Sequence, residues 1–425
     1  LPFAEFLLRC IECRSVYDAL RRSEDTTDKP ELERQFFEDL QHWFTEFDKV
    51  KWQPAERAAE FIILLLNKLI FAKTLEDFGL VPFRNIQDEY ARQKDRWEAK
   101  GAAKITRYFL ANFEDFFDEY YDTEIFAERI WDKLVPDEAN YERFCQKLEF
   151  ILGLDPWNIA MGRGVVNYNY RRIDEDIFGK SYEMFLAANR KDEGIYYTPA
   201  GITGPMADSM VDSLTGALVG EICDAIGSQK CDFARADKLM AQLADIRVSD
   251  TACGSGGFLI KVLRAFWRQY QRVDAACEWV KKMMRPDNGE MYLAEMPPNV
   301  EAALAFRRRH AFDNRRVLIA RILLRHVHGV DKDAGALEVA KTNIWKEAVK
   351  LSAADYNYRG LKGDIVRILP NLELNFIAAD SLVDLKTGEQ VAWLTDFHQT
   401  ELKKLSALRQ RYIEESDEAS LPGVT

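Results

Sequence analysis

The 425-residue chain has no apolar run long enough to cross a bilayer. Its longest, Phe61 to Leu66 continuing to Leu69-Ile70-Phe71, is interrupted by Asn67 and Lys68 and falls well short of the roughly 20 residues a spanning helix needs. No membrane partner is expected. The seven cysteines (Cys10, Cys13, Cys145, Cys223, Cys231, Cys253, Cys277) are odd in number and lack paired spacing. That usage suits a reducing compartment better than a disulfide framework, so a cytoplasmic location is expected. Cys10-Ile11-Glu12-Cys13 is the only CxxC. Without a second pair or a nearby histidine cluster it reads as two buried thiols one helical turn apart, and no metal is expected. The first residues offer no basic n-region, no small-residue cleavage site and no initiator Met, so the chain is expected to begin inside a longer protein.

An excess of positive charge is also missing. Lys and Arg total 58 against 70 Asp and Glu, a net charge of -12, so contact with nucleic acid has to use a local patch. One segment qualifies. From Arg264 to Arg325 there are 13 Lys and Arg against 7 Asp and Glu, with Arg307-Arg308-Arg309 and Arg315-Arg316 inside it. DNA backbone contact and an ordinary solvated helix surface are both open for this run.

What is present divides the chain in two. From Glu31 to Trp131 apolar residues recur at three- and four-residue spacing with almost no Gly or Pro, predicting successive amphipathic helices. Phe36, Leu40, Trp43, Phe44 and Phe47 share one face, and Ile62, Leu65, Leu66, Leu69, Ile70 and Phe71 make a wider stripe read as core. Asp28-Lys29-Pro30-Glu31 reads as a helix start. The pattern breaks around Leu152 to Pro156, and a segment rich in Asn, Tyr and Gly follows from Gly162 to Tyr170. Beyond it, short apolar runs such as Ile246 to Ser249 and His328 to Val330 alternate with helical stretches, which predicts βαβ units and a parallel sheet. The expected organisation is a helical domain over 1–160 and an α/β domain over 161–425, the latter with a basic insertion at about 264–325. Leu402 to Glu418 reads as a charged helix.

The chemistry is concentrated in Val248-Ser249-Asp250-Thr251-Ala252-Cys253-Gly254-Ser255-Gly256-Gly257-Phe258. A strand ends at an acid, a turn of small residues follows, and a helix begins. In open α/β sheets, ligands sit beyond the carboxyl ends of the strands, and Gly254, Gly256 and Gly257 let backbone approach a ligand closely. Asp250 can accept from an ammonium group. The lack of Gly-Lys-Ser/Thr at the helix start argues against nucleoside triphosphates, whereas a dinucleotide stays possible on the glycines alone.

Asp250-Thr251-Ala252-Cys253-Gly254-Ser255-Gly256 closely resembles the D-x-A-C-G-S-G motif of adenine-N6 DNA methyltransferases of type I and type IIG restriction-modification enzymes. Gly194-Ile195-Tyr196-Tyr197-Thr198-Pro199 is similar to that family's YYTP segment, which folds over the methionine end of S-adenosylmethionine. Asn167 to Tyr170 and Ile177 to Glu183 look like its lead-in. Val327-His328-Gly329-Val330-Asp331-Lys332-Asp333 resembles the second strand, whose terminal acid binds the ribose hydroxyls, a role that falls to Asp331. Asp333 is read as the start of the helix over 334–348. A third strand, Leu374 to Ala379, ends at Asp380-Ser381, and Asp380 aligns with the acid that accepts from the cofactor's adenine amine.

The resemblance implies a Rossmann-like S-adenosylmethionine-dependent domain, with Tyr197, Thr198, Pro199, Asp250, Ala252, Cys253, Gly254, Gly256, Phe258, Asp331, Lys332, Asp380 and Ser381 on the cofactor. It also implies methylation of adenine N6 in double-stranded DNA within a restriction or phage-defence system, with other subunits as possible partners. The family's catalytic tetrapeptide, (N/D/S)-P-P-(Y/F), does not follow Asp380. The only Pro-Pro, Pro297-Pro298, stands in the wrong order and place. Truncation before the catalytic strand, leaving the domain incomplete at its C-terminal side, is the expected reason. An inactive S-adenosylmethionine-binding scaffold subunit is the alternative, and a dinucleotide-dependent dehydrogenase a more distant one. The helical part resembles the connector that joins nuclease and methyltransferase in single-chain enzymes, but no strand-borne Asp…Glu-x-Lys set accompanies it.

Overall fold

A computed structural model describes residues 29–82, 84–120, 124–155, 163–173, 179, 198, 200–228, 231–283, 298–352, 371–381, 404 and 407–408. These fall within two compact units, Leu1–Tyr197 with Glu338–Leu369, and Thr198–Leu337 with Pro370–Thr425. The expected CxxC, the lead-in segment over 177–183 apart from Gly179, and most of the C-terminal helix lie outside the described residues.

In the first unit the helical periodicity becomes α1 (Lys29–Asp48), α2 (Ala58–Asp77), α3 (Asn85–Trp97), α4 (Ala102–Tyr120), the short α5 (Glu124–Ala127) and α6 (Glu138–Ile151). Helix α1 buries Phe36, Leu40, Trp43 and Phe47, one face at the predicted spacing. Phe44, predicted on that face, is half-buried. Phe36 meets Trp43, Tyr168 and Tyr170 edge-on at 5.7, 4.9 and 5.7 Å, the favoured geometry for aromatic quadrupoles.

Helix α2 is buried around its whole circumference from Leu65 on, including Lys68, Lys73, Glu76 and Asp77, so each charge needs a partner. Lys68 is paired with Glu114 of α4 and donates to the Glu128 carbonyl at 2.5 Å, while Glu114 also accepts the Ile130 N–H at 3.0 Å. Burial pushes the Lys68 ammonium down and the Glu114 carboxyl up, and their mutual attraction opposes both. Lys73 donates to Asp77 at 2.8 Å, and Asp77 accepts the Tyr170 N–H at 2.8 Å. With the Trp43 indole on the Arg163 carbonyl at 2.9 Å and the Arg163 guanidinium on Asp39 at 2.7 Å, these bonds seat residues 163–173 on α1 and α2.

The second unit contains α7 (Ala200–Gly227), α8 (Phe233–Ala244), β1 (Val248–Asp250), α9 (Gly257–Met283), α10 (Pro298–Arg309), α11 (Arg315–His326), β2 (Val327–Asp331) and β3 (Phe376–Ala378). A last helix, α12 (Ala334–Ser352), follows β2 and joins the first unit from Glu338 on. The three strands are parallel in the order β1-β2-β3, with Asp250 opposite Gly329 and Asp331 opposite Ala378. Parallel neighbours need a long crossover, which α9, α10 and α11 provide between β1 and β2. Helix α9 packs on β1 and β2 and along α7. The chain is thus mostly helical with a small parallel sheet, coarsely the α/β arrangement expected.

Of the residues expected as a basic insertion, those described make up α9 from Arg264 on, α10, α11 and the turn between the last two. Their arginines are partly spoken for. Arg307 is bound to Asp274 at 2.8 Å and paired with Glu278, both on α9, and Arg309 is paired with Asp237 of α8, leaving Arg308 as an exposed member of the triplet.

At the roots of β1 and β2, opposite the glycine turn, His326 is fully buried and stacks on Phe266 at 4.1 Å. Its Nδ1 lies 2.6 Å from the Ile246 carbonyl and so carries the proton, which leaves Nε2 to accept from the Tyr270 hydroxyl at 2.9 Å. Burial holds this imidazole neutral, pushing its pKa down to about 3. Asn375 closes the same end, its amide donating to the carbonyls of Leu323, Leu324 and Val327 at 3.2, 3.2 and 2.7 Å.

Candidate functional site at the carboxyl edge of the sheet

A parallel sheet delivers the carboxyl ends of its strands to one edge, and here each strand ends at or beside an acid. Asp250 closes β1, Asp331 closes β2, and Asp380 stands two residues past β3. All three belong to the second unit.

The turn after β1 is built on two left-handed glycines, Gly254 at φ 51° and Gly256 at φ 85°, a conformation a Cβ would penalise. It is sewn to the neighbouring strand. The Cys253 N–H donates to the Val330 carbonyl at 3.0 Å, and the Gly254 N–H to Asp331 Oδ2 at 2.8 Å. The other Asp331 oxygen accepts the Asp333 N–H at 2.9 Å. Asp331 thereby holds the glycine turn and its own downstream turn together, and each oxygen keeps a lone pair for a further donor. The third strand joins through the Ala379 N–H on the Asp331 carbonyl at 2.9 Å and through the Ser381 hydroxyl, which donates to the Thr251 carbonyl.

Asp250 accepts the Ala252 N–H at 3.1 Å. Burial raises its carboxyl above the usual range, the Ala252 N–H pulls it back, and the negative charge of Asp331 raises it again. Two carboxylates close enough to feel each other beside exposed backbone make an edge that favours a cationic or hydroxyl-rich ligand. Burial, reinforced by Asp250 and Asp331, pushes the Cys253 thiol well up, so it stays protonated and serves as an apolar wedge, not a nucleophile.

The structure therefore brings Asp250, Ala252, Cys253, Gly254, Gly256, Asp331, Asp380 and Ser381 to one edge. Phe258 lies half-buried at the start of α9, and Lys332 is exposed next to Asp331. Thr198 is exposed just before α7. Tyr197 and Pro199 lie outside the described residues. Asp333 caps α12, accepting the Gly335 N–H at 2.8 Å, in the role predicted for it. Among the described residues there is no group of His, Cys, Asp and Glu that could hold a metal ion, and no helix long and apolar enough to cross a membrane.

Residues 173–277 match the family model described as N-6 DNA Methylase. The matched segment contains the glycine turn and Asp250, and it ends before Asp331 and Asp380. Over 366 residues, 76% of this chain, the sequence is 24% identical to a protein of Methanocaldococcus jannaschii described as "Putative type II restriction enzyme and methyltransferase". The alignment takes in 27% of that relative, so the chain spans well under half the length of the curated protein it matches. No solved structure matches the chain.

Proposed function

We propose that this chain, whose residues 173–277 carry N-6 DNA methylase sequence, is the cofactor-binding part of a DNA adenine-N6 methyltransferase in a restriction-modification or phage-defence system. On this reading the second unit is the cofactor half of a Rossmann-like domain, and the substrate is adenine in double-stranded DNA. The protein works in the cytoplasm, with further restriction or defence subunits as possible partners. The observation that carries it is the convergence of three strand-end acids at one edge, where the Asp331 carboxylate ties the glycine turn to the end of β2 and the Asp331 carbonyl takes the Ala379 N–H of the third strand.

The donor set fits S-adenosylmethionine. Asp250 would accept from its ammonium group, Asp331 from the ribose hydroxyls and Asp380 from the adenine amine, with the left-handed glycines giving the backbone room. When bound, that cofactor supplies a methyl group already activated on a sulfonium. The chain's own residues orient. Asp331 fixes the turn at which the cofactor's middle would rest, and the buried Cys253 and Phe376 fill the space beneath it.

A second reading is a cofactor-binding scaffold that methylates nothing, which absence of an (N/D/S)-P-P-(Y/F) sequence from the full-length protein would favour. Incubating the full-length protein with tritiated S-adenosylmethionine and duplex DNA separates the two. Label in N6-methyladenine is the expected result. Cofactor binding without label would leave the scaffold. A thermal shift with NAD and none with S-adenosylmethionine would remove both.

A further inference from the structure

Gly329 sits in the middle of β2, and no positive φ explains its being glycine. Space explains it. A Cβ built there would lie 2.7 and 2.8 Å from Cε1 and Cδ1 of Phe376 and 2.9 Å from Sγ of Cys253, distances real Cβ atoms do not adopt. Phe376 is its register partner on β3 and Cys253 a buried residue of the glycine turn, so neither neighbour is a flexible side chain with solvent to retreat into.

These two neighbours belong to the two elements that flank Asp331. The residue after Cys253 donates its N–H to Asp331, and Cys253 itself donates to Val330, the residue after Gly329. We infer that Gly329 is a positioning residue of the cofactor site: its missing side chain is the socket that receives the Cys253 thiol and lets the glycine turn dock on β2. A methyl group at this point has to lift Cys253 or tilt Phe376, and lifting Cys253 carries Gly254 away from Asp331. Cys253 and Gly329 then form a matched pair in which the volume of one side chain is set by the absence of the other. The inference rests on the proposed S-adenosylmethionine reading for its ligand, but its geometric half does not.

The test uses the full chain, selectively labelled with [15N]glycine. In Gly329→Ala the Gly254 amide resonance should move as its bond to Asp331 lengthens, and S-adenosylmethionine affinity measured by calorimetry should fall about 10-fold or more. Adding Cys253→Ala to Gly329→Ala vacates the socket and should bring the affinity back to that of Cys253→Ala alone and return the Gly254 resonance. If Gly329→Ala does not fold, Cys253→Val overfills the same space from the other side and must produce the same displacement. An unmoved Gly254 resonance with undiminished affinity in Gly329→Ala overturns the inference. So does loss of affinity that Cys253→Ala fails to relieve. If the unmodified chain does not bind S-adenosylmethionine, the proposed function fails on its own, and the Gly254 resonance in the variants still decides the socket.

Discussion

Lowering the pH should weaken this fold through one buried imidazole. His326 donates to the Ile246 carbonyl and accepts from Tyr270 under the Phe266 ring, which leaves no room for a second proton, and the charges of Arg325 and His328 add to its cost. Its pKa falls from an ordinary 6.5 to about 3 on folding. The unfolded chain therefore takes up a proton that the folded chain refuses. The neutral imidazole's stabilisation is fully present above pH 6.5 and is lost as pH falls toward 3. Linkage puts the loss at about 2 kcal/mol between pH 7 and pH 5, and at about 4 kcal/mol by pH 3. Carboxylates titrate over the lower part of that range, so the quantity to measure is a difference. Urea unfolding of the unmodified chain and of His326→Asn, at pH 7, 6 and 5, isolates the imidazole. The variant should be less stable at pH 7 but should lose about 2 kcal/mol less on going to pH 5. Parallel curves for the two proteins would refute the buried, neutral assignment, as would a His326 ring resonance titrating near 6.5.

Asp250 should show function and stability opposed. Burial and the Asp331 charge penalise its ionised form, so Asp250→Asn is expected to raise the melting temperature of the ligand-free chain at neutral pH while weakening S-adenosylmethionine binding. Differential scanning calorimetry with and without the cofactor reads both, and a destabilised variant would contradict the account. In the helical unit, Lys68→Met strands the Glu114 carboxylate in the core and should cost about 3–5 kcal/mol by urea unfolding. The double replacement Lys68→Met with Glu114→Leu should recover most of it, and an equally unstable double variant would argue against the ion pair as the cause.

Local features of this protein were legible in the sequence because local spacing writes them. The three- and four-residue periodicity carried α1 and α2, and Asp28 to Glu31 marked a helix start close to Lys29. The strand over 246–249 was placed within two residues of β1, and the apolar runs near 328–330 and 374–379 contain or overlap β2 and β3. The candidate acids Asp250, Asp331 and Asp380 were legible for the same reason, since each closes or follows its own strand. Gly329 was not, because its requirement comes from Phe376 and Cys253, which only the paired strands bring to it. Nor could the sequence separate Arg307 and Arg309, engaged by Asp274, Glu278 and Asp237, from Arg308 beside them. Charge runs record composition, whereas ion pairing depends on which helix lies opposite.

Calorimetric titration of S-adenosylmethionine into the unmodified chain and into Asp331→Ala bears most directly on the strand-edge acids. Removing Asp331 deletes the acceptor for the Gly254 and Asp333 amides together with the acceptor for a ligand diol. Saturable binding by the unmodified chain, weakened about 100-fold or more in Asp331→Ala, is the predicted result. Equal affinity in the two proteins would contradict it.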